Sequence, residues 1–340
     1  MPVNLVLPPP FIIPTVPLVG LHCAQLGLDY VLLRKARRGM IPIRVMIGGA
    51  HIILPLVVAT RHDGGNLFLA ALPWFYAAYS ATLPLEKLSL REWMESFNAI
   101  VLDVPDKMRA QLAEEPDRIK HVDARGTRQK GVMRIARGVI KLGLMHYCID
   151  QLLPNYPAFM LTLPWFHLSS LGYTLLYGCK AYTFLGVADV GMGIQQLILG
   201  LPQIDLFDAP MLATSPKDFW SRRWSRPVRN LFHRIFYQSE SLSTTSRRGF
   251  MAFLTSGIMH ELLVMCLCRR LTLENMAFFT LHGLAVMAQV SLSKRLPEPI
   301  IKSTALPVVR FGCIIGNLGF FAITGRLFLA PYLRHYASSY

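Results

Sequence analysis

Residues 207–261 contain three short motifs: FDAP at 207–210, SPKDFWSRRW at 215–224 and SGIMHE at 256–261. The second motif is polar, basic and rich in tryptophan. The third places an ionisable imidazole, that of His260, inside a long apolar run. An apolar run of about 20 residues is the length that crosses the hydrocarbon core of a bilayer. The stretch therefore indicates a membrane protein in which a polar segment precedes a histidine-bearing span.

The composition supports this class. Of 340 residues, 53% are hydrophobic and only 16% are charged, against about 25% charged residues in soluble domains. The net charge of +15 would suggest nucleic-acid binding in a soluble protein. Here most cations lie between apolar runs, as membrane topology requires. We therefore expect lipid headgroups or a polyanionic co-substrate as partners, and no nucleic acid.

Apolar runs predict an all-α integral membrane protein with about eight transmembrane helices and cytosolic amphipathic helices around a tunnel. Basic loops then fall on one face, which the positive-inside rule makes cytosolic. Arg269 and Arg270 fall on the other face, where they would reach the interface or pair with Glu274. A polar region at 89–130 is expected to be a cytosolic loop, and 1–340 to form a single domain. The predicted spans are 11–33, 44–60, 67–85, 139–153, 158–186, 249–268, 273–292 and 306–329.

Several kinds of site are not indicated. All six cysteines lie in apolar runs, so neither a disulfide framework nor a zinc site is expected. No G-x-S-x-G motif, P-loop or Rossmann fingerprint occurs in the sequence. The N-terminus lacks the positive region of a cleavable signal peptide, so we expect the first span to be retained.

The tryptophan-rich motif predicts a helix that begins at Ser215. Ser215 is a favourable N-cap, Pro216 suits the first helical position, and Asp218 completes a capping box. Trp220 and Trp224 then share one face, opposite several arginines, and Pro227 is expected to divide the segment into two short helices. This pattern is typical of a helix that lies in the membrane interface. The alternative is that the arginines bind phosphates on the cytosolic face.

His260 lies near the middle of the sixth predicted span. An ionisable residue inside a membrane is costly, and it is a candidate functional residue by default. A histidine that hydrogen-bonds across helices is the alternative. Ser256 and Gly257 lie one turn before it on the same face, where the glycine would allow close approach of a substrate or a backbone. Glu261 points about 100° away and is expected to pair with a basic residue of another helix.

Other ionisable residues inside apolar runs are interpreted as structural. His146 and Asp150 are four residues apart and could hydrogen-bond to each other on a helix. The others have no partner nearby in sequence and are expected to be satisfied structural groups or to line the tunnel: Asp29, His167, Lys180, His282 and Arg326.

Taken together, Phe207-Asp208-x-Pro210, Ser215-x-x-Asp218-Phe219-Trp220-x-Arg222-Arg223-Trp224 and Ser256-Gly257-x-x-His260-Glu261 resemble the membrane-bound O-acyltransferase superfamily in its wax-synthase-like branch. The family-like core would span about 200–290. In relatives of other branches, an asparagine or aspartate of the cytosolic motif is a second functional residue. Ser225 follows Trp224 here, so no such asparagine carries over.

The resemblance implies acyl transfer from acyl-CoA, a co-substrate, to a hydroxyl, with His260 as the catalytic residue. Buried imidazole stays neutral and can act as a general base. No metal and no bound cofactor are implied. Ser256, Gly257 and Glu261 would support the reaction tunnel. The expected acyl-CoA-binding residues are Lys217, Asp218, Trp220, Arg222, Arg223, Trp224, Arg226 and Arg229.

The substrates are open at this stage. Similarity to fungal enzymes that acetylate hydrophobic secondary metabolites suggests acetyl-CoA and a terpenoid alcohol. The alternative is a long-chain wax or steryl ester synthase. A hypothesis of another class is a non-catalytic membrane protein that binds lipids or metabolites. Resemblance further implies a multi-pass protein of the endoplasmic reticulum membrane, with the lipid bilayer and a hydrophobic alcohol as partners.

Overall fold

A computed structural model describes residues 5–35, 41–80, 89–90, 93, 124–232, 245–293, 295 and 306–337. Most of these residues are helical. Two short strands, β1 (Leu5–Val6) and β2 (Phe11–Ile12), precede the first helix, and two others, β3 (Val58–Ala59) and β4 (Arg270–Leu271), each lie between two helices. The longer helices are α1 (Thr15–Lys35), α2 (Ile41–Val57), α3 (Asp63–Ser80), α4 (Ala124–Leu144), α5 (Leu168–Phe184), α6 (Gly186–Leu199), α7 (Thr245–Cys268), α8 (Glu274–Ser293) and α9 (Pro307–Ala337).

Five helical segments of the described chain are long and apolar enough to cross a membrane. They are α1, the continuous run of α5 and α6, α7, α8 and α9, whereas α2 is apolar but shorter. The chain is therefore an all-α, multi-pass integral membrane protein, as the sequence predicts. The count of eight spans stays a prediction. Most of the predicted loop at 89–130 lies outside the described residues.

The fourth predicted span, 139–153, differs most from the structure. α4 begins at Ala124 and ends at Leu144, and a π-helical turn, Met145–Ile149, follows it. The helix carries six basic residues, which an apolar-run criterion assigns to a loop. Three of these cations, Arg134, Arg137 and Lys141, have carboxylate partners on other segments, which helps α4 to form.

Those partners lie on α6 and on the chain that follows it. Asp189 of α6 is buried and accepts hydrogen bonds from Arg137 at 2.8 Å and from Lys141 at 2.7 Å. Asp205 accepts from Arg137 at 2.7 Å and from Arg134 at 3.2 Å. Burial alone would raise the pKa of Asp205, but the hydrogen bonds and charges of Arg137 and Arg134 hold it below its ordinary value. Asp205 is therefore ionised at neutral pH and pairs with these cations.

Glycines let α4 and α6 approach closely. A Cβ atom on Gly138 would lie 2.6 Å from the carbonyl oxygen of Gly186, and one on Gly193 would lie 2.8 Å from that of Gly131. Only glycine fits such contacts without displacing a backbone. Small residues at a helix interface are typical of membrane proteins.

Contacts within the chain cluster into two compact units. The first lies within 1–100 and 230–280, and the second lies within 101–229 and 281–340. α1, α2, α3 and α7 belong to the first unit, and α4, α5, α6 and α9 to the second. The boundary falls inside α8, after Thr280. A single domain over 1–340 stays a prediction.

In the first unit, the short strands bring several helix ends together. β1 pairs with β4 in antiparallel register, and β2 pairs with β3 in parallel register. The start of α1, the end of α2 and the end of α7 therefore lie at one end of this unit. Arg269, expected at the interface or beside Glu274, donates to the carbonyl oxygens of Leu56 at 2.8 Å and of Pro8. An arginine is accommodated at this end because backbone carbonyls accept its hydrogen bonds.

Candidate active site

His260 lies on α7 in the first unit and is half-buried. Its Nδ1 lies 2.8 Å from the backbone carbonyl oxygen of Ser256. A carbonyl can only accept, so Nδ1 donates and the neutral imidazole has its lone pair on Nε2. The ring also contacts Phe279 of α8, with 4.5 Å between centroids. This arrangement fixes the ring and its tautomer, which is what a proton-accepting histidine requires.

Ser256 supports His260 through its backbone. The hydroxyl group is not the acceptor, so the expected support comes from the helical carbonyl one turn earlier. An imidazole bonded in this way has its orientation set by the helix itself.

Gly257 is the contact point between α7 and α8. A Cβ atom there would lie 2.7 Å from Sδ and 3.2 Å from Cα of Met276. The close approach expected at this glycine is therefore an approach of a neighbouring helix. It allows α8 to place Phe279 against the imidazole of His260.

Glu261 holds the turn that joins α7 to α8. Its Oε1 accepts hydrogen bonds from the backbone N–H of Thr272 at 2.6 Å, the backbone N–H of Leu273 at 2.7 Å and the Thr272 hydroxyl at 3.0 Å. Leu273 has a positive φ of 59°, which is uncommon for a residue with a side chain. The expected pairing with a basic residue is wrong, because the carboxylate of Glu261 stabilises backbone N–H groups of this strained turn instead.

In the second unit, Arg223 ties the first two motifs together. Its Nε donates to Oδ2 of Asp218 at 2.8 Å, and its Nη1 donates to the carbonyl oxygens of Asp208 and Ala209 at 3.0 and 3.1 Å. The N–H of Asp208 donates in return to the carbonyl oxygen of Arg223. Ala209 has a φ of 40°, so these bonds hold a left-handed turn. Asp218 and Arg223 therefore have a structural role in addition to any contact with acyl-CoA.

Ser215 is the N-cap that the sequence predicts. Its hydroxyl accepts from the N–H of Asp218 at 3.1 Å. The carboxylate of Asp218 accepts from the N–H of Thr214 at 3.2 Å. The segment does divide into two short helical pieces, but the break comes at Ser225, with a φ of 47°, and not at Pro227. Ser225 occupies a left-handed position, which asparagine also tolerates well.

Both tryptophans of the motif pack in the second unit. The indole N–H of Trp220 donates to Nδ1 of His282 at 3.0 Å, and Nε2 of His282 lies 2.9 Å from the hydroxyl of Thr324. That hydroxyl donates to the carbonyl oxygen of Phe320, so Nε2 of a neutral His282 is the donor to it. Trp224 stacks on Phe219, with 5.2 Å between centroids and 16° between planes.

The remaining cations of the segment differ in exposure. The side chain of Arg222 is 71% exposed and lies 3.7 Å from Oδ1 of Asp218. Lys217 and Arg229 are exposed and Arg226 is half-buried, and Arg229 donates to the carbonyl oxygen of Ser221. Lys217, Arg222 and Arg229 are therefore more accessible to an anion than Arg223, which is 12% exposed.

Most of the other ionisable residues that the sequence singles out have structural partners. Asp150 pairs with Lys180 at 2.8 Å, whereas His146 lies 4.0 Å from Asp150, too far for the hydrogen bond expected between these two residues. His167 caps α5 by accepting from Ser169. Arg326 donates to the carbonyl oxygens of Leu161 and Leu163 and to the hydroxyl of Ser170. Among the described residues, no cluster of three His, Cys, Asp or Glu side chains could hold a metal ion.

Sequence reasoning missed a buried pair in the first unit. Nε2 of His51, on α2, lies 2.5 Å from Oδ2 of Asp29, on α1. The two residues are 22 positions apart, so no helical spacing connects them. The available signal was that each is a polar residue inside its own apolar run.

This fold and these sites define a multi-pass α-helical membrane protein with a histidine fixed in a spanning helix. Residues 203–281 match the model of the membrane bound O-acyl transferase family. This range contains FDAP, the tryptophan-rich motif and His260. The chain is therefore similar to this family and, through the relatives below, to its wax-synthase-like branch.

Curated relatives agree with this assignment. The chain is 34% identical over 177 residues to the probable long-chain-alcohol O-fatty-acyltransferase 1 of Arabidopsis thaliana, which is 47% of this chain and 48% of the relative. It is 27% identical over 304 residues to the long-chain-alcohol O-fatty-acyltransferase of Simmondsia chinensis, covering 84% of this chain and 78% of the relative. It is also 34% identical over 119 residues to the acyl-CoA–sterol O-acyltransferase 1 of Arabidopsis thaliana, covering 30% of this chain and 34% of the relative. The matched region thus spans about half the length of the first relative.

Proposed function

We propose that this protein is an acyl-CoA-dependent O-acyltransferase that esterifies the hydroxyl group of a hydrophobic alcohol in the membrane, with His260 as general base. The observation that carries the proposal is the fixed tautomer of His260 inside a spanning helix. The names of the relatives, which describe O-acyl transfer to long-chain alcohols and sterols, support the same reaction class.

The proposed reaction is direct attack of the alcohol on the thioester. The Nε2 lone pair of His260 takes the hydroxyl proton while the alcohol oxygen bonds to the thioester carbonyl carbon. The C–S bond then breaks, and the proton passes from Nε2 to the thiolate sulfur, giving the ester and free CoA. Apolar surroundings limit access of water and thereby suppress hydrolysis of the thioester. This chemistry needs no metal and no resident cofactor.

For the acyl-CoA, the exposed cations of the tryptophan-rich segment are the best candidates. CoA carries several phosphates, which arginine and lysine side chains bind well. We assign this role to Lys217 and Arg222, with Arg226 and Arg229 next to them in the segment. Asp218, Trp220, Arg223 and Trp224 would then build the surface that presents these cations.

The proposal also names the acyl donor and the acceptor alcohol. Acetyl-CoA with a terpenoid alcohol is the prediction from sequence. Relatives named as fatty-acyltransferases of long-chain alcohols favour the alternative, a fatty acyl-CoA with a long-chain alcohol or sterol. We therefore propose the long-chain pair first and keep acetyl transfer, and location in the endoplasmic reticulum membrane, as predictions to be tested.

The test is product analysis with purified full-length protein in detergent. Acetyl-CoA and palmitoyl-CoA are each offered with a fatty alcohol, a sterol and a terpenoid alcohol, and esters and free CoA are measured by mass spectrometry. His260→Ala should lower the rate of ester formation at least about a hundredfold, because general-base catalysis contributes about 10²–10⁴-fold. Ile258→Ala is the matched control, since its side chain is on the same helix and 51% exposed.

Two results would contradict the proposal. A folded His260→Ala variant that forms ester at an undiminished rate would refute the catalytic role. A wild-type protein that binds alcohols but forms no ester with any donor would instead support a non-catalytic lipid-binding protein.

A further inference from the structure

One face of α1, remote in sequence from the motifs, carries buried polar side chains. His22, Gln25 and Asp29 are three and four residues apart, so their side chains lie on one face of this spanning helix. Asp29 is 2% exposed and His22 is 4% exposed. Such a face is costly inside a membrane unless its polar atoms have partners.

Only part of this face has such partners. Asp29 pairs with His51 of α2 at 2.5 Å. In the described part of the chain, both ring nitrogens of His22 and Oε1 of Gln25 are buried without a hydrogen-bond partner. Buried polar groups are nearly always hydrogen-bonded, so each exception needs an explanation such as a bound water or ligand. Three such atoms on one helix face point to a ligand.

The chemistry of these atoms restricts the ligand. A neutral imidazole has one N–H donor and one lone pair, and Oε1 of Gln25 is an acceptor. A hydroxyl group matches them, because it can accept from the imidazole N–H and donate to Gln25 or to the other ring nitrogen. A carboxylate cannot donate, and a hydrocarbon can do neither. Apolar side chains elsewhere on α1, such as Val31, are exposed, which suits a ligand that arrives from lipid.

We propose that His22, Gln25 and the Asp29–His51 pair form an intramembrane site that binds the hydroxyl group of a long-chain alcohol on its way to acylation. The site belongs to the same unit as His260. Its occupant rests on the proposed function, since that function names the alcohol. Water is the other source of a hydroxyl, and the experiment separates the two.

The direct test is photo-crosslinking of a long-chain alcohol that carries a diazirine, with the full-length protein and without acyl-CoA. Labelled peptides from α1 and α2 should disappear when hexadecanol competes but not when hexadecane does. Gln25→Leu, a change of similar size, and His22→Phe should each raise the concentration of alcohol for half-maximal labelling by about five- to tenfold, the effect of losing one or two hydrogen bonds. Val31→Ala, on the same helix and 45% exposed, is the control and should label normally.

A kinetic arm separates this site from the transferase itself. In protein that forms ester, Gln25→Leu should raise the KM for the alcohol and leave that for acyl-CoA unchanged. Equal competition by hexadecanol and hexadecane, or normal labelling of Gln25→Leu, would overturn the site and assign only water to it. Hydroxyl-selective labelling in a protein that makes no ester would sustain the site and refute the proposed function.

Discussion

Arg222 and Arg223 show how two neighbouring identical residues take different roles. Arg223 donates to Asp218 and to the carbonyl oxygens of a left-handed turn, whereas Arg222 is largely exposed. The sequence places Arg222 on the basic face of one short segment and Arg223 at its border, and it predicts acyl-CoA binding for both. Their roles differ because the segment is wound as a π-helix, Phe219–Arg223, and because FDAP folds back onto it.

We predict that replacing each of the two arginines by alanine has different effects on stability and on acyl-CoA binding. Arg223→Ala leaves the carboxylate of Asp218 without its closest partner and frees the Ala209 turn. It should therefore lower Tm by roughly 5 °C or more, measured by intrinsic fluorescence in detergent. Arg222→Ala should leave Tm unchanged and raise the KM for acyl-CoA. Equal losses of Tm in both variants would show that Arg222 is also structural.

Among the helices, the α4–α6 pair is held together by two complementary features. Glycines allow the two helix backbones to come into contact, and Asp189 accepts hydrogen bonds from Arg137 and Lys141. The buried carboxylate of Asp189 is tolerated because each of its two oxygens accepts a hydrogen bond from a cation. The pair explains why a helix with six basic residues forms where apolar-run length predicts a loop and a short span.

The prediction for this pair is that its glycines cannot be replaced. Gly138→Ala would place a Cβ atom 2.6 Å from the carbonyl oxygen of Gly186 and 2.7 Å from Cγ2 of Val190. The helices must then separate, at a cost of about 1–3 kcal/mol in the free energy of unfolding. Thermal or denaturant unfolding in detergent measures this loss.

The matched control is Gly143→Ala on the same helix. Nothing lies within 4 Å of a Cβ atom there, so the higher helix propensity of alanine should leave stability unchanged or raise it by up to about 1 kcal/mol. If Gly138→Ala were as stable as Gly143→Ala, the close contact would not contribute to stability.

At the scale of the whole molecule, membrane topology follows from the spans and the basic loops. In the first unit, the strand pairings bring the loop after β3 and the turn after α7 to the same end as the start of α1. Arg34 lies at the other end of α1. The positive-inside rule assigns the Arg34 end to the cytosol, so residues 61–62 and 270 should face the opposite side.

We predict this topology for cysteine labelling in membranes. In a variant lacking the six native cysteines, His62→Cys and Arg270→Cys should react with an impermeant maleimide from the same side. Arg34→Cys should react only from the other side. Labelling of His62→Cys and Arg270→Cys from opposite sides would contradict the pairing of β1 with β4 and of β2 with β3.

The sequence by itself determined the class of protein, its resemblance to a family and the candidate base. Composition and apolar runs predict a bundle of membrane helices. Inside the bilayer, a long apolar segment must satisfy its backbone hydrogen bonds internally, which an α-helix does. Three motifs within 207–261 carry the resemblance to a family, and the match to the family model covers the same region. The N-cap at Ser215 was predictable, since it depends only on neighbouring residues.

Only the tertiary structure decided which polar residues meet. Glu261 stabilises the turn between α7 and α8, and Arg223 stabilises the turn at Ala209. Asp29 pairs with His51, which lies 22 residues away in the sequence. No local pattern encodes these contacts, because each joins residues that helical periodicity does not align. The cost of an unpaired polar group in an apolar interior makes such long-range pairing obligatory, but the partner is chosen by how the helices pack.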